Sequence, residues 1–405
     1  MIDAHGAVAE LRERARRHPP DRYPVQHATA QFHLGAALAQ DGRLDEARAA
    51  LEAAAALFEA RLPVEHAKAL NSLGAVERMA GRTRDAVAAF ERASALFAAT
   101  GNGLERGAAL YNLGLAAREL GDAERAVDAF REALELLDGG RVPAQAAAAA
   151  RELGATLLLS GDLGGARPLL ERAEELADAA RDTAGMGAAA NALGLVHLGE
   201  GRLDAATRAF RRSAAAHPRS VRPDGYALAK ANLALAFERA GEVARARLSA
   251  LQALASPELP QAVGDQASGV LDRLGRGPGE VLRVLDAEAP DAWPGVVREE
   301  VVRWISLPDD ERHAETAAWI EGQLARDAVA VELAGAWLGA LLEAPPDDME
   351  RLIRTALRAL AEREPYQRER FRSRTEMAMA RFHVPQMLRL RDTFERLGRE
   401  PEAAW

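Results

Sequence analysis

The stretch LGLAARELGDAERAVDAFREA, residues 113–133, decides how the chain is read. It opens on Leu113-Gly114, reaches a turn glycine at Gly121, and runs on through Ala126, Phe130 and Ala133. The same order recurs in both directions. Leu-Gly pairs stand at Leu34-Gly35, Leu73-Gly74, Leu153-Gly154 and Leu193-Gly194, with the variant Leu233-Ala234, spaced by 39 residues once and by 40 thereafter. Turn glycines follow at Gly42, Gly81, Gly161, Gly201 and Gly241, and alanines at Ala47, Ala86, Ala166, Ala206 and Ala246. An apolar residue comes next, at Leu51, Phe90, Leu170, Phe210 and Ala250. A small one closes the unit, at Ala54, Ala93, Ala173, Ser213 and Ala253. A fixed period of this length marks a repeat array, in which each unit must stack on its neighbours to bury its apolar face.

The spacing has a packing reason. Two antiparallel helices approach closely only where small residues face each other, and large apolar residues on either side fill the remaining gap. The order Leu-Gly, Gly, Ala, Phe, Ala resembles that of the tetratricopeptide repeat (TPR) family, in the version with a period of about forty residues. The resemblance covers residues 25–255 and implies an all-α, right-handed superhelical solenoid of helix pairs. Pro24, Pro63 and Pro143 sit where the first turn of a helix tolerates proline. The aromatic residue that the family carries three places before the Leu is replaced by Gln31, Leu70, Leu110, Ala150, Ala190 or Lys230. Similar forty-residue repeats enclose extended peptides in bacterial regulators and animal scaffold proteins.

An early helix near residues 3–17 reads as a lone second helix, with Ala7 and Leu11 in register with Ala47 and Leu51 and Pro19 ending it; it caps the array. Beyond Pro290 the repeat is lost. Helical periods continue near 295–306, 309–325, 327–343, 348–363, 365–383 and 386–397, punctuated by Pro308, Pro345-Pro346, Pro365 and Pro385. All five tryptophans, Trp293, Trp304, Trp319, Trp337 and Trp405, lie there. The chain is therefore expected to comprise a capping helix (1–24), six TPR-like repeats (25–255), a degenerate repeat or linker (256–290, with Leu271, Gly275 and Ala287) and a C-terminal helical domain (291–405).

Composition narrows the function. With 405 residues and no cysteine, the chain excludes thiolate catalysis, zinc–thiolate sites, iron–sulfur clusters and disulfides. Its 52 basic against 61 acidic side chains argue against coating nucleic acid or anionic membrane. Lys68 and Lys230 are the only lysines. An Ala/Arg-rich composition of this kind fits a GC-rich bacterial genome. The charged start MIDAHGAVAELRERARRHPP lacks the apolar core of a signal peptide, and the apolar run from Ala328 to Ala344 carries Glu332, so a cytoplasmic protein without a membrane span is expected.

Catalytic motifs fail on context. Gly101, Gly103 and Gly107 follow a helix instead of a strand, and Pro278 removes an amide from the Gly275–Gly279 loop, so neither makes a phosphate cradle. Asp310 and His313 form a single acid–His pair where a helical metal site needs two, and His27 and His33 are six apart, so no metal or cofactor is expected. The run Arg363, Arg368, Arg370, Arg372 and Arg374 is diluted by Glu362, Glu364 and Glu369 and reads as a solvated helix.

The TPR resemblance implies that first helices line a concave groove, with ligand-facing positions one and two residues before each Leu and two, five and six after it. This assigns Asn71, Arg78, Tyr111, Asn112, Arg118, Arg151, Asn191 and Asn232 to the groove, with Lys68 on the preceding turn. Neighbours on the same positions include Glu119, Glu152, Leu158, Leu159, Leu195 and Leu198. Cations and amides then crowd the first half and apolar residues floor the second, which suits a protein or peptide partner, with an acidic extended segment favoured. Two functions stand at this point: a scaffold or regulatory interaction protein, which is preferred, or an enzyme whose C-terminal domain builds an acid/base site from Glu311, His313, Glu315 or His383 while the repeats recruit a carrier-bound substrate.

Overall fold

The computed structural model describes residues 4–257, 259–275, 277–401, 403 and 405. Met1–Asp3 of the expected capping segment, Glu258 and Arg276 of the 256–290 segment, and Glu402 and Ala404 lie outside them. Every α-helix and 3-10 turn among the described residues belongs to an all-α protein; none of the described residues forms a strand. The chain falls into two compact units, residues 1–201 and 202–405.

The first unit opens with α1 (Ala4–Arg17). Four helix pairs follow: α2 (Pro24–Gln40) with α3 (Leu44–Phe58), α4 (Pro63–Met79) with α5 (Thr83–Ala99), α6 (Gly103–Glu119) with α7 (Ala123–Gly139), and α8 (Pro143–Leu159) with α9 (Leu163–Ala179). The unit ends with α10 (Thr183–Gly199). The Leu-Gly repeat thus becomes a solenoid of helix pairs. The small residues do what their spacing predicts. A Cβ built on Gly114 would lie 2.6 Å from the Phe130 ring, and one on Gly74 2.7 Å from Phe90. Gly35 faces Leu51 and Gly154 faces Leu170 at the same range. Ala47, Ala86, Ala126 and Ala166, on the facing second helices, are fully buried.

Each turn within a pair needs a left-handed residue. At Gly121 φ is +79°, the Asp122 N–H donates back to the Ala117 carbonyl at 2.9 Å, and the Gly121 N–H donates to Arg118 at 3.0 Å. These bonds satisfy carbonyls that the ending helix leaves orphaned. A side chain at Gly121 would meet nothing within 4 Å, so backbone conformation alone selects glycine. Between pairs the left-handed position is Gly101 once, but Arg141 and Arg181 at φ 57° and 55° in the next two repeats. Pro24, Pro63 and Pro143 each open a first helix. In α1 the buried residues are Val8 and Ala15, with Leu11 partly buried, one position away from the expected Ala7 register.

The second unit begins with α11 (Leu203–Ala216), α12 (Pro223–Arg239) and α13 (Val243–Leu254), which continue the repeat. Next come α14 (Gln261–Leu274) and the short α15 (Glu280–Leu285). Then follow α16 (Trp293–Ser306), α17 (Asp309–Ala325), α18 (Ala330–Glu343), α19 (Pro346–Ala361), α20 (Pro365–Met379) and α21 (Val384–Leu397). Packing here alternates: α16, α18 and α20 lie side by side, and α17, α19 and α21 form the other row. Between the rows lies one apolar core. Trp304 and Trp319 meet edge to face at 6.0 Å, and Trp337 meets Phe371 and Phe394 at 6.5 and 6.2 Å. Leu248 of α13 belongs to that same core, which is why the compact unit starts before the C-terminal helices do. Buried inside it is an ion cluster in which Arg303 donates to both Glu300 and Glu315 at 2.7 Å. Gln252 donates to Glu300 and the Gly279 N–H to Glu315.

Candidate functional site: the inner-helix face

Successive first helices touch one another, α2 with α4, α4 with α6, and α6 with α8, so their outward positions form one continuous face on the first unit. Asn112 of α6 donates its side-chain amide to Asn71 of α4 at 3.2 Å, across adjacent repeats. Two turns further along, Arg78 pairs with Glu119 at 2.7 Å, again from α4 to α6. Arg118 then reaches from α6 to Glu152 of α8 at 2.5 Å. Arg151 holds the same carboxylate, its Nε and Nη2 donating to Glu152 at 3.3 and 2.8 Å. Seven polar residues thus form a ladder across three repeats.

Burial alone would raise the Glu152 carboxyl, but hydrogen bonds and charge from Arg151 and Arg118 hold it below the usual carboxylate value. Tyr111, half-buried beside this cluster, has its hydroxyl pushed up by burial and by Glu152. Its ring centroid lies 5.8 Å from that of Phe130, and the Arg118 guanidinium sits over the same ring. The large residue that wedges the α6–α7 contact therefore also supports the site. Lys68 pairs with Glu65 of its own helix at 3.0 Å.

The nine residues assigned from the sequence are not all alike. Asn71, Arg78, Tyr111, Asn112, Arg118 and Arg151 come together; Lys68 and Asn191 are partly exposed on α4 and α10. Asn232 belongs to the other unit, where it is buried and accepts a hydrogen bond from Gln266. Glu119 and Glu152, neighbours in the sequence scheme, turn out to be the partners that order the arginines. Of the expected apolar floor, Leu195 is half-buried and Leu198 buried, whereas Leu159 stands 79% exposed at the end of α8.

Comparison with known proteins bears on the repeats themselves. Residues 26–99 and 65–138 match one tetratricopeptide repeat pattern, and residues 191–263 match another. Over these residues the chain is built of tetratricopeptide repeats. Its TPR units carry the Leu-Gly and Ala-Phe-Ala contacts described above. Among solved structures, BtubC (BKLC) from P. vanneervenii is similar at 18% identity and a TM-score of 0.48, over 53% of this chain and 91% of that one. The Cut9–Hcn1 hetero-tetramer of the APC/C is similar at 17% identity and 0.47, over 67% and 47%. The apo form of RapI is similar at 14% and 0.47, over 61% and 76%. No curated protein matches the sequence.

Outside the TPR units, two of the four C-terminal acid/base candidates are held by different partners and two are exposed. Glu315 turns inward to Arg303, while His313 pairs with Glu362 at 3.1 Å. Glu311 and His383 are exposed. Among the described residues no group of three or more acids and histidines is arranged to hold a metal ion, and no helix is long and apolar enough to cross a membrane. Arg370 and Arg374 of α20 both hold Asp327, and Arg363, just before that helix, donates to the Ala317 carbonyl at 3.1 Å.

Proposed function

We propose that the chain is an interaction scaffold whose inner-helix face, over α4, α6 and α8, holds an extended protein segment bearing carboxylates. TPR units are protein-interaction modules, and a face built from long side chains on rigid helices suits one. The observation that carries the finer reading is the convergence of Arg118 and Arg151 on Glu152. Two guanidiniums share one carboxylate, so the cluster keeps one unit of positive charge, while Glu152 holds both forks in place. Each guanidinium has five N–H donors in a fixed plane, enough to accept a ligand carboxylate beside Glu152. The neighbouring Asn71–Asn112 amides can donate to and accept from a peptide backbone. Arg78–Glu119 is a neutral pair and adds no net charge.

Each charge-assisted hydrogen bond to such a ligand contributes about 1.5–3 kcal/mol. Deleting the arginines alone strands the mostly buried Glu152, which costs stability and blurs the result. The test is therefore the triple variant Arg118→Gln/Arg151→Gln/Glu152→Gln, titrated with a short fluorescein-labelled peptide carrying glutamate at alternate positions. Wild type is expected to bind this probe more tightly than its glutamine counterpart, the triple variant about tenfold or more weakly, and added salt to weaken wild-type binding through screening on a scale of about 10 Å at 0.1 M. Equal affinity of wild type and triple variant for the acidic peptide contradicts the proposal.

A further inference from the structure

A cavity lies wholly within residues 202–405, between α11, α12, α13, α15 and α16, with a volume of about 510 Å³. Pockets that take small molecules span about 300–1,000 Å³ and combine apolar walls with a few fixed polar groups. Leu233, Phe237, Leu248, Val284 and Val296 form the wall here. The charged rim carries Arg211, Lys230, Arg245 and Arg298 with Glu288 and Glu299, and Glu242 also pairs with Arg245. Arg211 and Arg245 share Glu288, at 3.6 and 2.8 Å, and both guanidiniums lie over the Phe237 ring. Arg298 pairs with Glu343, which is outside the lining.

Lys230 is the unusual member. In a chain whose cations are otherwise arginines apart from Lys68, it places a compact ammonium on the cavity wall with a side chain only 9% exposed. Its ammonium lies 5.4 Å from the Tyr226 ring centre, and its partner is Glu299 at 2.6 Å. Glu299 is itself 41% exposed, so this carboxylate reaches in from solvent to an inward-facing cation. An ammonium carries three donors, and a buried one gains most from an anion that brings its own apolar cover.

From the cavity's apolar wall and the inward ammonium of Lys230, we infer that it binds a small amphiphilic carboxylate, the anion on Lys230 and the apolar body against Phe237, Leu248 and Val296. Glu299 then acts as a resident anion that the ligand displaces. This site is independent of the inner-helix face, which lies in the other unit.

Calorimetric titration of the full chain with hexanoate, octanoate and decanoate tests the assignment. Affinity is expected to rise about fourfold per buried methylene, and decanoate to bind more tightly than decanol or decyltrimethylammonium. Lys230→Met is expected to weaken decanoate about tenfold or more while leaving decanol unchanged. Glu299→Gln is expected to act in the opposite direction, tightening decanoate several-fold, and it keeps the idea testable if Lys230→Met folds poorly. The Arg118→Gln/Arg151→Gln/Glu152→Gln variant is expected to bind decanoate as wild type does. No binding by any member of the series overturns the inference, as does decanoate affinity that ignores both Lys230 and Glu299. Capture of a peptide with a free C-terminal leucine in place of decanoate overturns it too.

Discussion

Gly114 is the position where the repeat is easiest to break on purpose. An added Cβ would stand 2.6, 2.7 and 2.8 Å from three carbons of Phe130, whereas carbons rest comfortably at about 3.5–4.0 Å. The ring must therefore move by about 1 Å, yet it is fully buried, with Tyr111 beside it and Arg118 over it. Alanine at this helical site gains about 1 kcal/mol of propensity over glycine. Overpacking costs about 1–3 kcal/mol. Gly114→Ala is thus expected to lose about 1 kcal/mol net, and Gly114→Leu, with a larger wedge, about 3 kcal/mol. Gly139, also helical, would meet nothing within 4 Å, so Gly139→Ala is expected to gain about 0.4–1 kcal/mol. Repeat arrays open locally, so slow amide hydrogen exchange in α6 and α7 is a better readout than one melting temperature. A loss of about 3 kcal/mol corresponds to roughly a hundredfold faster opening there, since about 1.4 kcal/mol is tenfold. Phe130→Ala costs about 3–5 kcal/mol alone, but combined with Gly114→Leu it frees the space that the leucine needs. The double variant should therefore lose clearly less than the sum. Additive losses, or unchanged exchange in Gly114→Leu, would refute the small-against-large contact.

Other expectations follow from single features. Gly121→Ala, strained only by its left-handed backbone, is expected to cost about 1–2 kcal/mol in urea unfolding, and Arg141→Gly to raise stability, because an Arg there already bears that strain. The Glu152 carboxyl is held low in the folded state, so its contribution is present above the unfolded value of about 4.3 and lost as pH falls through the folded one. Wild type should accordingly lose stability more steeply than Glu152→Gln as pH falls below about 4.3, and parallel curves there would refute this. Arg303→Met strands two buried carboxylates and is expected to cost about 3–5 kcal/mol in the second unit, measured by tryptophan fluorescence in urea.

The repeat was legible because its physics is local. Leu34-Gly35 through Leu193-Gly194 repeat one contact, and a contact that recurs every 39 or 40 residues leaves a period in the sequence. The C-terminal helices were legible one by one, since Pro308, Pro345-Pro346, Pro365 and Pro385 mark where they start. Their alternating arrangement was not, because α16 packs on α18 and α17 on α19 through Trp, Leu and Ala side chains at irregular spacing. The left-handed Arg141 and Arg181 were hidden for a related reason: a strained turn held by its neighbours need not advertise itself with glycine. On the inner face, position within the repeat located Arg118 and Arg151 but not what they do. Their sharing of Glu152, and the neutrality of Arg78 with Glu119, depend on side-chain reach between repeats. The Lys230 cavity left no motif, since its lining draws on five helices.

The central claim is that a partner lies along α4, α6 and α8, and site-specific photocrosslinking tests it most directly. A benzophenone side chain at Ser72, beside Asn71 on the inner face, is compared with one at Ala88, exposed on α5, in the presence of the alternating-glutamate peptide. Crosslinking from Ser72, abolished by the Arg118→Gln/Arg151→Gln/Glu152→Gln change and absent from Ala88, is the predicted result. Crosslinking from Ala88 and not from Ser72 would contradict the account.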